Sequence, residues 1–264
     1  MYNFEYQQAK SVADASKVLA DKPEAKLMAG GMTLIPTLKM RLAKPTDIVD
    51  LGKIAELKGV KREGNAIVIG AMTRHIDVAN SDVVKSAIPA LADLAAHIGD
   101  PAVRNRGTCG GSIANNDPAA DYPSAVLALN ATIITNKRKI AADDYFKGMF
   151  ETALEPDEII TAVSFPIPEK AAYMKFPNPA SRYAIVGSFV AKTGNTVRVG
   201  ITGAGACAFR QKDMEAALSK SFNPDAIKSI AQSQDGLNSD IHASAEYRAH
   251  LVGVMTRRAV TKAG

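Results

Sequence analysis

The residues best suited to chemistry in this 264-residue chain sit in two glycine-rich turns about eighty positions apart. One reads Ala29-Gly30-Gly31-Met32-Thr33 and runs on into Leu34. The other reads Thr108-Cys109-Gly110-Gly111-Ser112. In each, two adjacent glycines are followed within two residues by a hydroxyl side chain. Paired glycines strip side chains from the backbone, so its N–H groups can approach an oxyanion closely. Two such turns could close on one diphosphate from both sides, which makes a dinucleotide the first ligand to weigh. The first turn lies between an apolar strand and a helix, the usual order for a phosphate at a helix N-terminus, but it is neither a Walker loop nor G-x-G-x-x-G. A tight strand-to-helix connection would look the same. The second turn is followed by Asn115, Asn116, Asp117 and Asp121 among small residues. A solvated loop accounts for that run, and so does recognition of sugar hydroxyls and ring N–H groups.

Other motifs carry less. Gly203-Ala204-Gly205-Ala206-Cys207-Ala208 matches G-x-G-x-x-A after a strand, but a dinucleotide-binding unit needs a further parallel strand, and only helical segments follow. It reads as a sheet edge meeting a helix. Cys109 has no histidine or other base beside it and reads as a small packed residue rather than a reactive thiol. His75 and His97 read as structural, His97 closing a helix where the dipole favours it. No serine has the strand–elbow–helix setting of a hydrolase nucleophile.

These turns must be positioned by surrounding elements. Ser11 caps a helix carrying Val12, Ala15, Val18 and Leu19 at helical spacing. Residues 25–28 form a short strand leading into the first turn, residues 33–42 a helix with Pro36 in its first turn, and residues 47–51 a strand closing a small βαβ-like unit. A strand at 66–70, a helix at 88–98, a helix at 124–129 and strands at 131–135 and 159–165 follow. Pro166-Ile167-Pro168-Glu169-Lys170 marks a boundary. Beyond it, strands at 184–192 and 196–202 meet through Gly194-Asn195, and helices are expected at 211–220, 225–234 and 244–262. That tail reads as a sheet carrying helices on one side.

Composition limits the function classes. Apolar residues make up 47% and charged residues 22%, ordinary for a globular chain, and the net charge of +5 is dispersed, so nucleic-acid binding is not expected. No window approaches the roughly 20 apolar residues of a membrane span. The opening residues lack a basic segment followed by an apolar run, so no secretory signal is expected and a cytoplasmic location follows by default. Two cysteines cannot supply the four thiolates of an iron–sulfur cluster, and no metal-ligand spacing is visible among the four histidines. Any redox group must be organic or reside on a partner.

Taken together, Ala29 to Pro36, Arg104 through Thr108–Ala114 to Asp117–Asp121, Glu155 to Ile160 and Met255 to Val260 resemble the medium, FAD-binding subunit of molybdenum hydroxylases, the group of carbon monoxide and xanthine dehydrogenases. The likeness covers almost the whole chain. It implies an α+β protein with a two-subdomain FAD-binding fold of the vanillyl-alcohol-oxidase type, residues 1–55 and 56–168, followed by a smaller α+β C-terminal domain, 169–264. By the resemblance, Ala29–Leu34 and Thr108–Ser112 hold the diphosphate of FAD. Asn115 and Asp121 lie near the ribityl chain and ring, Ile98 lies against the isoalloxazine, and Ile160 lies near the adenine. Lys175 stands close to the flavin and Tyr183 over its face. Met32 departs from the family's usual polar residue and Cys109 from its aliphatic one, and residues 176–181 lack the family's basic character. The implied function is electron transfer within a complex. A large subunit would bear molybdopterin and a small one two 2Fe-2S clusters, as a dimer of heterotrimers, with electrons passing to NAD⁺, a quinone or oxygen. The alternative is a free-standing flavoenzyme of the same superfold, which would need a substrate base of its own.

Overall fold

The computed structural model describes residues 1–264. The first unit is a parallel sheet made by β1 (Glu5–Gln8), α1 (Val12–Asp21), β2 (Lys26–Met28), α2 (Leu34–Lys39) and β3 (Asp47–Asp50), in the strand order β1-β3-β2. Ser11 caps α1 by accepting from the Asp14 N–H at 3.1 Å. Ala15, Leu19, Val49 and Leu51 pack in a core shared with Leu57, Met72 and Ile159 of the next unit. The helix expected to reach residue 42 stops at Lys39, because Arg41 takes a left-handed conformation at φ 60°.

The second unit is a five-stranded antiparallel sheet ordered β4 (Val60–Glu63), β5 (Ala66–Gly70), β10 (Ile160–Pro166), β6 (Thr132–Thr135) and β7 (Lys139–Ala141). Between β5 and β6 run short helices: α3 (His75–Asn80), α4 (Asp82–Ala87), α5 (Pro89–Ala96), α6 (Pro101–Arg106), α7 (Cys109–Asn115) and α8 (Tyr122–Ala128). Capping and proline define their starts: Asp100 accepts from Val103 N–H and Thr108 from Gly111 N–H, while Pro89 and Pro101 open α5 and α6. After β7 come α9 (Ala142–Tyr145) and a small hairpin, β8 (Phe146–Gly148) with β9 (Glu151–Thr152). Asn116 caps α7 in the left-handed region at φ 45°, fully buried. Its side-chain amide donates to the carbonyls of Gly148 and Glu151, both at 2.8 Å, and its backbone carbonyl receives Phe150 N–H.

The third unit is an antiparallel sheet ordered β11 (Lys170–Pro177), β12 (Ala184–Thr193), β13 (Thr196–Thr202) and β14 (Phe209–Arg210), with helices α10 (Lys212–Lys220) and α11 (Ala245–Ala263). Strand alternation divides its side chains. Ala172, Val186 and Val190 join the core beneath α11, where Ser188 also meets Thr256 at 2.9 Å. Tyr173, Phe189 and Ala191 join the core of the second unit instead. The sheet is therefore covered on both faces, its own helices on one side and α5 and α8 on the other. At Gly200 the fit is so close that a Cβ would stand 2.1 Å from the Ser124 carbonyl oxygen of α8. Arg198 reinforces that contact by donating to the Leu127 carbonyl at 2.8 Å and pairing with Asp143.

A further expectation needs correction. The helix expected at 225–234 is a single 3₁₀ turn, Pro224–Ile227, capped by Asn223. Only Ile227 of that stretch is buried in the core, and Ser233 turns its hydroxyl to the Asp235 N–H, a local bond that competes with helix. Gly203–Ala208 is an irregular link from β13 to β14 with Gly203 at φ 82°. It joins antiparallel neighbours and opens no parallel unit.

Asn116 thus ties the end of α7 to the β8–β9 hairpin through a conformation that asparagine tolerates better than most residues. Asn116→Ala loses both donors and keeps the strained backbone, so thermal denaturation should show a loss of about 2–4 kcal/mol. Asn116→Gly relieves the strain and should lose less. An alanine variant melting at the wild-type temperature would contradict this role.

Candidate functional site

The fold brings the two glycine turns into contact. Ala29–Leu34 leads from β2 into α2, and Thr108–Ser112 opens α7. A Cβ at Gly30 would stand 2.1 Å from the Arg106 carbonyl oxygen, and one at Gly111 would stand 3.4 Å from Ala29 Cβ. Gly31 has φ 74°, which favours glycine. A Cβ at Gly110 would lie 2.5 Å from Ala71 Cβ, at the end of β5. The glycines are thus required by chain-to-chain contact as well as by any ligand.

The turns differ in the donors they offer. In the second, Cys109 N–H donates to Thr73, Gly110 N–H to Ala71 and Ser112 N–H to the Thr108 carbonyl, while Gly111 N–H goes to the Thr108 hydroxyl. In the first, the N–H groups of Gly30, Gly31, Met32, Thr33 and Leu34 donate to no acceptor within the chain. Thr33 precedes α2 without a side-chain cap. Consecutive unpaired donors on a loop entering a helix form an anion-binding concavity. The second turn closes its wall and contributes the Ser112 hydroxyl, which has no partner in the protein.

A second cluster lies where the C-terminal sheet meets the loop after α7. Asp121, almost fully buried, accepts from the Tyr173 hydroxyl at 2.5 Å and from Lys175 Nζ, which lies 3.0 Å from one carboxylate oxygen and 3.1 Å from the other. Lys175 also donates to the His97 carbonyl at 3.1 Å, beside Ile98. Burial pushes the Asp121 carboxyl upward, opposed by the Lys175 charge and by both hydrogen bonds. Arg104 donates to the Ile98 and Gly99 carbonyls, both at 3.0 Å. Tyr183, 45% exposed, stands close enough to Asp117 and Asp121 for both carboxylates to raise its pKa, after burial. The 117–121 loop is pinned to the sheet by Thr202, whose hydroxyl donates to Ala120 at 2.6 Å, and by Gly203 N–H, which donates to Pro118.

Asn115 ends α7 half-buried, at the same loop. Met32 is exposed beside the free donors. Cys109 is fully buried and burial pushes its thiol upward, so it packs rather than reacts. Ile160 is set apart: its side chain lies in the core, and it neighbours Thr161, whose carbonyl receives Ala71 N–H beneath Gly110. A recess of about 630 Å³ lies elsewhere, between α11 and residues 228–234, and is lined by Lys228, Gln232, His250 and Arg257 among others. None of the candidate residues lines it.

Polar residues of this region outside the candidate set include Tyr173 and His75, the latter read from the sequence as structural. Tyr173 becomes visible only once β11 is recognised, because it precedes Lys175 by two and so shares its face. His75 begins α3 under the second turn. Its N–H donates to the Gly107 carbonyl at 2.9 Å, and its ring fills the space a Gly107 side chain would need, with Nε2 2.6 Å from that Cβ position. Its Nδ1 is buried without a partner.

An α+β chain with facing glycine turns, free backbone donors on one of them, and a buried carboxylate–lysine–tyrosine cluster alongside has the frame of a nucleotide-cofactor protein. Residues 2–168 match the family model described as the FAD-binding domain in molybdopterin dehydrogenase, and residues 171–263 match the CO dehydrogenase flavoprotein C-terminal domain. The chain belongs to the FAD-binding family of the molybdopterin dehydrogenases. It is 35% identical to the carbon monoxide dehydrogenase medium chain of Hydrogenophaga pseudoflava, over 98% of this chain and 96% of that one. It is 37% identical to the glyceraldehyde dehydrogenase medium chain of Sulfolobus acidocaldarius, over 97% and 96%. Among solved structures, it superposes on the reconstituted CO dehydrogenase from Oligotropha carboxidovorans with a TM-score of 0.93 at 33% identity, covering 99% of this chain and 97% of that one. No helix is long and apolar enough to cross a membrane.

Two buried groups contribute to the response to acid. Burial, then the nearby Arg104 charge, lowers His75 to about 4, below its unfolded value near 6.5. The unfolded chain takes up that proton first, so stability falls as pH drops through 6.5 and levels off below about 4. Glu158, its side chain fully buried, accepts from Arg138 and Thr135, and the Arg138 bond brings it to about 2 from 4.5. Its contribution is present above 4.5 and is lost as pH falls toward 2. Urea unfolding should show stability declining in these two overlapping windows. His75→Gln should flatten the upper window and leave the lower, and a variant with an unchanged profile would refute the assignment.

Proposed function

We propose that this chain is the FAD-carrying medium subunit of a multi-subunit molybdenum hydroxylase. The observation that carries the reading is the run of unpaired N–H groups from Gly30 to Leu34, closed off by the Ala29–Gly111 contact. It suits a diphosphate, whose oxygens can take donors that no protein acceptor claims. On this reading Thr33 and Ser112 add hydroxyl donors, and Cys109 and Gly110 let the second wall approach closely. Leu34 and Met32 flank the phosphates. Ile98 and Tyr183 supply apolar and aromatic surface for the ring, Asn115 and Asp121 polar contacts to ring and ribityl groups, and Lys175 a positive charge beside them. Ile160 would act only through the wall behind the adenine end. The residues divide into 1–55, 56–168 and 169–264, with the cofactor between the first two and covered by the third.

The flavin, when bound, supplies the ability to collect single electrons and release them in pairs. The chain's own residues bind it, orient it and exclude water from it. Two partners are inferred: a large subunit holding molybdopterin, where the organic substrate reacts, and a small subunit carrying 2Fe-2S clusters. The support is that the relatives are named medium chains or FAD subunits of dehydrogenases. A dimer of heterotrimers in the cytoplasm, passing electrons to NAD⁺, a quinone or oxygen, completes the reading.

Thr33→Ala with Ser112→Ala tests the placement, because neither hydroxyl serves as a donor to the protein fold. Surface changes of this kind alter stability by no more than about 0.5 kcal/mol. Losing charge-assisted hydrogen bonds of roughly 1.5–3 kcal/mol each should weaken FAD binding at least tenfold, measured by quenching of flavin fluorescence in the full-length chain. Wild-type affinity in the double variant would remove these two hydroxyls from the phosphate contacts. A wild-type chain that takes up no FAD would overturn the reading itself.

A further inference from the structure

Tyr173 is buried, with its ring stacked on Phe189 at 6.1 Å between centroids and 29° between planes. A phenylalanine would serve that packing equally well, and a buried phenol is costly unless paired. The hydroxyl is nevertheless accommodated: a Cβ at Gly187 would lie 2.5 Å from Tyr173 Oη, so the absence of a side chain there leaves it room. The hydroxyl spends its proton on Asp121. Lys175, two residues along the same face of β11, brings its ammonium to both oxygens of that carboxylate. Asp121 opens α8 in the second unit, whereas both donors come from the third. Its position is therefore set by the C-terminal sheet rather than by its own loop.

We propose that Tyr173 is a positioning residue of the cofactor site, acting through Asp121 by holding its carboxylate charged and fixed in orientation beside the flavin. The inference rests on the FAD reading above. Reduction adds negative charge to the flavin, and a carboxylate held nearby disfavours it. Removing the Tyr173 donor weakens the hold on that charge, so the reduced flavin should gain affinity relative to the oxidised one.

The test uses the full-length chain loaded with FAD and titrated spectroelectrochemically. Tyr173→Phe should retain the ring packing and favour the reduced flavin about tenfold, a rise of about 30 mV for a two-electron couple. In an Asp121→Asn background the same change should do nothing further, because the group it acts through is gone. A purely structural role for Tyr173 would instead lower the melting temperature equally in both backgrounds and leave the potential in place. Gly187→Ala, which crowds the same hydroxyl from the neighbouring strand, should move the potential in the same direction and serves if Tyr173→Phe does not fold. Bound flavin with an unchanged potential in the variant that folds would overturn the inference and leave the FAD reading standing. A wild-type chain without flavin would overturn both.

Discussion

The structure around the candidate site depends on one contact, the approach of the first glycine turn to the segment before α7. The Arg106 carbonyl fills the space where a Gly30 side chain would be, and Ala29 lies against Gly111. The first unit also shares a hydrophobic core with the second, where Met72 and Ile159 pack with Ala15, Leu19 and Val49. Backbone touching backbone fixes the gap between two loops to within a fraction of an ångström, which no pair of flexible side chains could do. The price is sequence freedom: a methyl group at Gly30 would meet the Arg106 carbonyl and force the loops apart.

A second constraint acts from the other side. The C-terminal sheet is clamped between its own helices and α8, with Gly200 allowing α8 to lie directly on β13. Arg198 and Arg210 converge on Asp143 across the same boundary, and Arg210 also pairs with Glu215 at 2.6 Å. Such partly exposed pairs add modest stability, but shared carboxylates give them definite geometry. The sheet can consequently carry Lys175 and Tyr173 into the second unit at a fixed depth. Thr202 and Gly203 hold the 117–121 loop to meet them. The carboxylate of Asp121 sits where these supports converge.

Much of this was legible in the residues. The strands expected at 184–192 and 196–202, joined by Gly194-Asn195, are found at Ala184–Thr193 and Thr196–Thr202, and both glycine turns showed directly. The features that the sequence did not reveal have physical causes. β11 mixes Lys170, Lys175 and Pro177 with apolar residues because one end reaches the site and the other the surface, so no clean alternation marks it. Tyr173 was hidden with it. The short helices α3, α4 and α6 span six residues each, too few for a periodic pattern; Ser81 and Asp100 cap α4 and α6, while α3 is held by packing on α5. The region after Pro224 carries helix-forming residues but buries only Ile227 there, so propensity had nothing to pack against.

The two turns looked equivalent as sequence, and the hydrogen bonds make them unequal. Both lead into helices, yet Thr108 is extended and caps α7, while Thr33 is already helical and caps nothing. That difference decides where a negative charge gains most. At α7, the first-turn donors are satisfied by Thr73, Ala71 and Thr108, so an anion there would compete with bonds already made. At α2, the donors are open, and an anion would complete rather than exchange them. The electrostatic attraction for a diphosphate therefore resides mainly in the first turn. The second acts as a rigid wall, and its glycines serve the approach of Ala71 and Ala29 as much as the approach of a ligand. One turn that binds and one that shapes make a clamp only because the Gly30–Arg106 contact keeps them face to face.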